Sequence, residues 1–118
     1  MPPESEGRKQ HRMLQKEYGS LYRIVSDILF RHDPMELDGK HNIGDYDAEV
    51  DAVLSRIREA EDVEGLQDLL FEVFRTDYGE GSCGERVRYG AAATEIWKAY
   101  ERHRVQHTLN SLRSWRTE

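Results

Sequence analysis

Apolar residues recur at spacings of three and four along most of the chain, and no stretch alternates with period two. That pattern predicts helices and no strands. The first periodic segment spans Lys9 to His32. Leu14, Tyr18, Leu21, Val25, Ile28 and Leu29 share one face of it, which Tyr22 and Ile24 widen. Gly19 inside this segment costs about 1 kcal/mol relative to Ala and allows a local kink. Asp33-Pro34 ends the helix, because the residue before proline avoids the α region. Residues 34–45 read as a loop, with Asp38-Gly39 and Gly44 as turn signals. A second helix follows from Tyr46 to Ala60, with Tyr46, Val50, Val53, Leu54 and Ile57 as its buried stripe. Asp45 is its N-cap, and Asp47 and Glu49 sit where the helix dipole favours negative charge. Asp62 caps a third helix from Val63 to Asp77, whose core face is Leu66, Leu69, Leu70, Val73 and Phe74 and whose stop is Gly79. Residues 79–84 (GEGSCG) form a flexible hinge. A fourth helix starts near Glu85, runs past Thr108, and buries Tyr89, Ala92, Ala93, Ile96 and Tyr100. The expected architecture is all-α, a compact bundle of about four helices with a long C-terminal helix. It forms a single helical domain over residues 9–118, behind a disordered N-terminus at residues 1–8 (MPPESEGR).

The last helix carries a second stripe. At 100° per residue, Tyr89, Ala92, Ile96, Tyr100, His103 and His107 lie on one side, and Val105, Leu109, Leu112 and Trp115 lie roughly opposite. One straight helix cannot bury both stripes in the same core. Either the helix breaks near Glu101–Val105, or its tail covers a second surface, which is this chain's first helix, the tail of a second copy, or another partner. Arg102, Arg104, Arg113 and Arg116 flank the tail. Trp97 reads as core, and Trp115 as an interface anchor.

Composition sharpens this picture. The 118 residues are 37% apolar and 34% charged, against the usual ~45–50% and ~25%. The core is therefore narrow and the surface heavily charged. The net charge is −6, and it is concentrated in the middle. Residues 35–80 hold four Lys/Arg against fourteen Asp/Glu, a net of −10, whereas residues 1–34 carry +1 and residues 81–118 carry +3. Acidic helices either pack beside basic ones or present a face to a basic partner. An acidic chain is a poor nucleic-acid binder. No apolar run suits a membrane span, and the N-terminal residues lack the apolar run of a secretory signal. One cysteine, Cys83, allows no intramolecular disulfide. These features predict a cytoplasmic protein.

The candidate chemistry is thin. The acidic run Asp38, Asp45, Asp47, Glu49 and Asp51 fails the EF-hand pattern, since the sixth position is Val50 or Ala52 rather than Gly. His103 and His107 have metal-gripping i, i+4 spacing, but Arg104 stands where the Glu of H-E-x-x-H belongs. His32 and Asp33 are adjacent, and adjacent helical residues point apart. Cys83 before a helix start raises the idea of an activated thiol, and GEGSCG that of a phosphate loop. The latter lacks the closing G-K-[ST] and a preceding strand. No cofactor, metal or catalytic residue is assigned, and the expectation is a non-enzyme.

The run Ile28-Leu29, Asp33-Pro34, Asp45-Tyr46-Asp47-Ala48-Glu49-Val50 and the Leu69–Phe74 helix resembles a small bacterial helical family of uncharacterised function. In that family a D-P turn is followed by a Y-D-x-E-V helix start. The likeness covers about residues 24–79, and relatives of this type include immunity proteins against bacterial toxins. It implies a protein-binding inhibitor and supplies no catalytic residues. The expected function is thus a non-catalytic protein-binding module of immunity or antitoxin type, with Asp51, Glu61, Glu64 and Asp68 facing a basic partner protein. The alternatives are a homo-oligomeric structural or regulatory protein, such as a homodimer, joined through Val105, Leu109, Leu112 and Trp115, and a small metal-binding protein.

Overall fold

The computed structural model describes residues 6–36 and 46–116, with side chains through Arg113. The described residues form six helices: α1 (Glu6–Tyr18), α2 (Ser20–His32), α3 (Asp47–Arg56), α4 (Val63–Tyr78), α5 (Glu80–Cys83) and α6 (Gly90–Arg116). Short 3₁₀ turns lie at Ile57–Glu59 and Arg86–Tyr89. The all-α class and the long last helix match expectation. The count of about four helices does not, and the correction begins at Gly19. The expected single helix from Lys9 to His32 is two helices, because Gly19 takes φ +53° and ψ −121°, where the absence of a Cβ removes the steric penalty. The Gly19 N–H closes α1 on the Gln15 carbonyl at 2.9 Å, and its own carbonyl accepts from Tyr22 N at 3.1 Å. An unbroken helix over 24 residues would be about 36 Å long. The break instead lets α1 pack against both α2 and α3. Residues 1–5 lie outside the description, and α1 already begins at Glu6.

Helix α2 stops as the Asp-Pro pair predicts. Asp33 adopts the left-handed conformation (φ 46°), and its N–H bonds the Leu29 carbonyl at 2.9 Å. The Tyr46 hydroxyl then donates to Asp33 Oδ1 at 2.8 Å and accepts from Met35 N at 3.2 Å, which joins the end of α2 to the start of α3. The turn signals Asp38-Gly39 and Gly44, together with His41 and the expected cap Asp45, lie outside the described residues. Tyr46 occupies the position before α3, and the expected Tyr46–Ala60 helix is α3 followed by a 3₁₀ turn. Asp62 caps α4 as expected, accepting from Gly65 N at 2.8 Å. The Gly-rich 79–84 segment contains the helical turn α5, with Cys83 buried beneath it.

The core is continuous from α1 to α6. Leu21, Val25, Ile28 and Leu29 of α2 meet Ala92, Ala93, Ile96 and Tyr100 of α6, and Leu66, Leu70 and Phe74 of α4 close the other side. Phe74 forms ring contacts with Tyr46, Tyr78 and Tyr89, with centroids 5.2–5.8 Å apart. Trp97 is partly buried against this core. Helix α6 runs unbroken for 27 residues, about 40 Å, and outlasts the bundle it packs on. The molecule therefore extends 56 × 43 × 25 Å. No described helix is long and apolar enough to cross a membrane.

Gly84 sits at φ +74°, and a Cβ there would overlap the Arg88 guanidinium, whereas a Cβ on Gly19 would meet nothing within 4 Å. Both Ala substitutions should destabilise by roughly 1–3 kcal/mol through backbone strain. Urea denaturation should show the larger loss for Gly84→Ala, because it also displaces Arg88 from the Pro34 carbonyl, which it holds at 2.8 Å.

Candidate protein-interaction surface

The four acidic residues singled out from the sequence do not form one face. Asp51, on α3, is turned inward, with its side chain 17% exposed. It accepts from the Tyr22 hydroxyl at 2.7 Å and lies 3.0 and 3.1 Å from His11 Nδ1. This cluster ties α1, α2 and α3 together. Burial, then the bond to Asp51, pushes the Tyr22 hydroxyl well above its ordinary pKa. Glu64 and Asp68, on successive turns of α4, both engage Arg86, Glu64 at 2.8 Å. Glu61 is exposed and lines a cleft of about 660 Å³ with Glu17, Arg58, His103 and Arg104. Of the four, Glu61 stands apart from these ion pairs. Several other surface carboxylates are paired similarly. Arg56 bridges Glu59 and Glu72 at 3.2 Å each, Arg58 holds Glu17 at 2.6 Å, and Arg31 joins Asp27 and Glu95 at 3.0 Å each.

The residues considered for chemistry are dispersed. His32 pairs with Glu95, and Asp33 with Tyr46, so the two neighbours point apart. The hydrogen bond from His32, then that from Arg31, holds the Glu95 carboxyl below the usual range. His103 and His107 stack with centroids 6.2 Å apart, and His103 also meets the Tyr18 ring at 5.5 Å. Burial, then the neighbouring His107, lowers the His103 pKa. Among the described residues no group of three potential metal ligands exists. Cys83 is buried, its thiol directed at the Gly84 and Glu80 carbonyls, so it lacks the access a nucleophile needs.

The C-terminal stripe is a different matter. Helix α6 does not break near Glu101–Val105. Its first stripe is buried through Tyr100. Its second leaves Val105 60%, Leu109 47% and Leu112 52% exposed. The Trp115 side chain lies outside the described residues. Val105, Leu109 and Leu112 fall within about 60° of arc and form a ridge on the solvent side. From Arg102 to Arg116 the helix holds four arginines and no Asp or Glu. On one flank, Arg104 lies over the Tyr100 ring at 5.4 Å. On the other, Arg102 and Lys98 border a groove against α2, where Ile24 is 44% exposed rather than part of the core stripe. Arg23, Lys98 and Arg86 were not singled out by the sequence, and Ile24 was read there as part of the buried face. Arg86 reaches α4 from 18 and 22 residues away, and no local spacing marks such a pair.

One buried acid stands apart from this surface. Glu49 of α3 is 4% exposed, accepts from the Tyr78 hydroxyl at 3.3 Å, and shares a hydrogen bond with Asp77. Burial, then Asp77, pushes its carboxyl up to about 8 from an ordinary 4.5.

The chain matches no protein-family model, and neither a curated protein nor a solved structure is significantly similar to it.

Two outcomes follow from the carboxylates. Asp51→Ala should cost about 1–3 kcal/mol in chemical denaturation, since it removes the partner that both the Tyr22 hydroxyl and His11 share between helices, while Glu61→Ala should stay within about 0.5 kcal/mol. For Glu49 the folded pKa lies above the unfolded one, so its contribution is full below about 4.5 and is lost as pH rises through about 8. Denaturation midpoints across that window should show Glu49→Gln falling less with pH than the wild type, and exceeding it above pH 8.

Proposed function

We propose that the protein is a non-catalytic binding module that docks a partner protein on the projecting half of α6, and that the docked surface of the partner is acidic. One observation carries the reading: the helix leaves the core intact and holds Val105, Leu109 and Leu112 exposed along a segment whose charged side chains, from 102 to 116, are all arginine. Apolar side chains grouped on a rigid projection mark interaction sites, and the arginines favour carboxylates. An immunity-type inhibitor aimed at a basic toxin has less support, since Asp51, Glu64 and Asp68 are engaged within the chain. Self-association through the stripe would bring two arginine-rich tails together, which like-charge repulsion opposes.

A photo-crosslinking residue at position 109 identifies the partner, and binding is then measured with the purified pair. Leu109→Asp and Leu112→Asp should each weaken the complex at least about tenfold, with unchanged helix content and a monomeric mass for the chain alone. An unaffected complex overturns the proposal, and so does a concentration-dependent dimer that Leu109→Asp dissociates, which would make the second copy the partner.

A further inference from the structure

The docking surface does not end on α6. A shallow groove of about 510 Å³ separates α2 from α6, floored by Ile24, Ile28 and Ala99. Its two carboxylates are already engaged: Asp27 and Glu95 each hold Arg31 at 3.0 Å, and Glu95 also holds His32. Its other cations, Arg23, Lys98 and Arg102, form no ion pair among the described residues. The uncompensated charge of the groove is therefore positive. Lys98 and Arg102 lie two turns and one turn before Leu109's neighbour Val105, so the groove opens directly onto the exposed ridge. Together they make one straight track. It runs from Ile24 past Lys98 to Leu112, about 21 Å along α6, with apolar side chains along its line and cations on the edge nearer α2.

Resting on the reading of α6 as a docking surface, we infer that this track receives an amphipathic helix of about four turns, with apolar residues at i, i+4 and i+7 and its Asp and Glu residues along the one edge that faces Arg23, Lys98 and Arg102. A helix fits because the ridge is itself spaced by a helix, so side chains of a second helix pack between its turns. The acidic edge follows from the charge left over in the groove. It also fixes direction around the helix axis, since the opposite flank of α6 has Glu101 and the Arg104–Tyr100 pair instead. A second copy of this chain is a poor occupant. Its exposed acidic helix, α4, has Glu64, Asp68 and Glu72 bound to Arg86 and Arg56. An anionic bilayer would attract the tail but repel the rest, because residues 1–101 carry thirteen Lys/Arg against twenty-two Asp/Glu, a net of −9.

The test uses the full chain and a labelled 18-residue helical peptide with Leu at i, i+4, i+7 and i+11 and Glu along one edge, read by fluorescence anisotropy. Binding should saturate and weaken at least about tenfold between about 0.05 and 0.3 M salt. A peptide with Lys in place of Glu should bind at least about tenfold more weakly, and so should the Arg23→Glu, Lys98→Glu, Arg102→Glu variant with the Glu peptide. Equal binding of the two peptides overturns the inference. Loss of partner binding in Leu109→Asp alongside full peptide binding by the triple variant also overturns it, while leaving the α6 docking surface standing. Binding to vesicles of anionic phospholipid with no peptide bound would replace the helix with a membrane.

Discussion

The structure depends on how one helix divides its faces. Helix α6 gives Ala92, Ala93, Ile96 and Tyr100 to α2 and α4, and this contact joins the first half of the chain to the second. A helix is stiff over 40 Å, so the face opposite that contact cannot turn inward without a break. No proline, glycine or π-bulge interrupts residues 91–116 to supply one. The second apolar stripe is thus held in water by the same regularity that buries the first. Such exposure costs solubility unless charge surrounds it, and the arginines of the tail provide that charge.

The electrostatics follow a related logic. The middle of the chain has a net charge of −10, and several of its carboxylates are paired locally. Arg86 gathers two carboxylates of α4, and Arg56 spans Glu59 and Glu72. Each exposed pair contributes at most about 1 kcal/mol, so their main consequence is to flatten the field on that side. The opposite edge is treated differently. Arg31 uses up the two acids of the α2–α6 groove, and Arg23, Lys98 and Arg102 are left over. The net charge of the chain and the unpaired charge of this groove therefore have opposite signs.

The helices were largely legible because their apolar spacing is a local property. Asp62, Gly79 and the Asp33-Pro34 stop could be placed to within a residue, and the opposed stripes of α6 follow from 100° per residue alone. Gly19 was visible as a weak point, but its sequence neighbours do not say whether a glycine bends a helix or ends it. That depends on α3, against which α1 packs once freed. The pairing of the acidic residues was not legible for a similar reason. Whether Asp51 meets solvent or His11 is decided by a contact 40 residues away, and Arg86 meets Asp68 across 18. Spacing along one helix cannot report pairs that tertiary packing creates.

The projecting half of α6 has a fixed direction, set in part by polar contacts at the base of α6. The Tyr89 hydroxyl donates to the Cys83 carbonyl at 2.5 Å, Gln67 Nε2 donates to the Arg86 carbonyl at 2.9 Å, and Arg88 holds the Pro34 carbonyl at 2.8 Å. Burial pushes the Tyr89 hydroxyl up to about 12, so it stays a donor at any physiological pH. These bonds fix three backbone positions around the turn from which α6 starts. From Gly90 to Leu109 the helix rises about 29 Å, so a rotation of about 10° at its base would carry the ridge about 5 Å sideways. That is a full helical pitch, enough to take Leu109 out of register with the groove beside Ile24. Buried polar bonds of this kind add little net stability each, about 1 kcal/mol, but they exclude alternative tilts, and a rigid projecting helix makes that exclusion matter most at its far end.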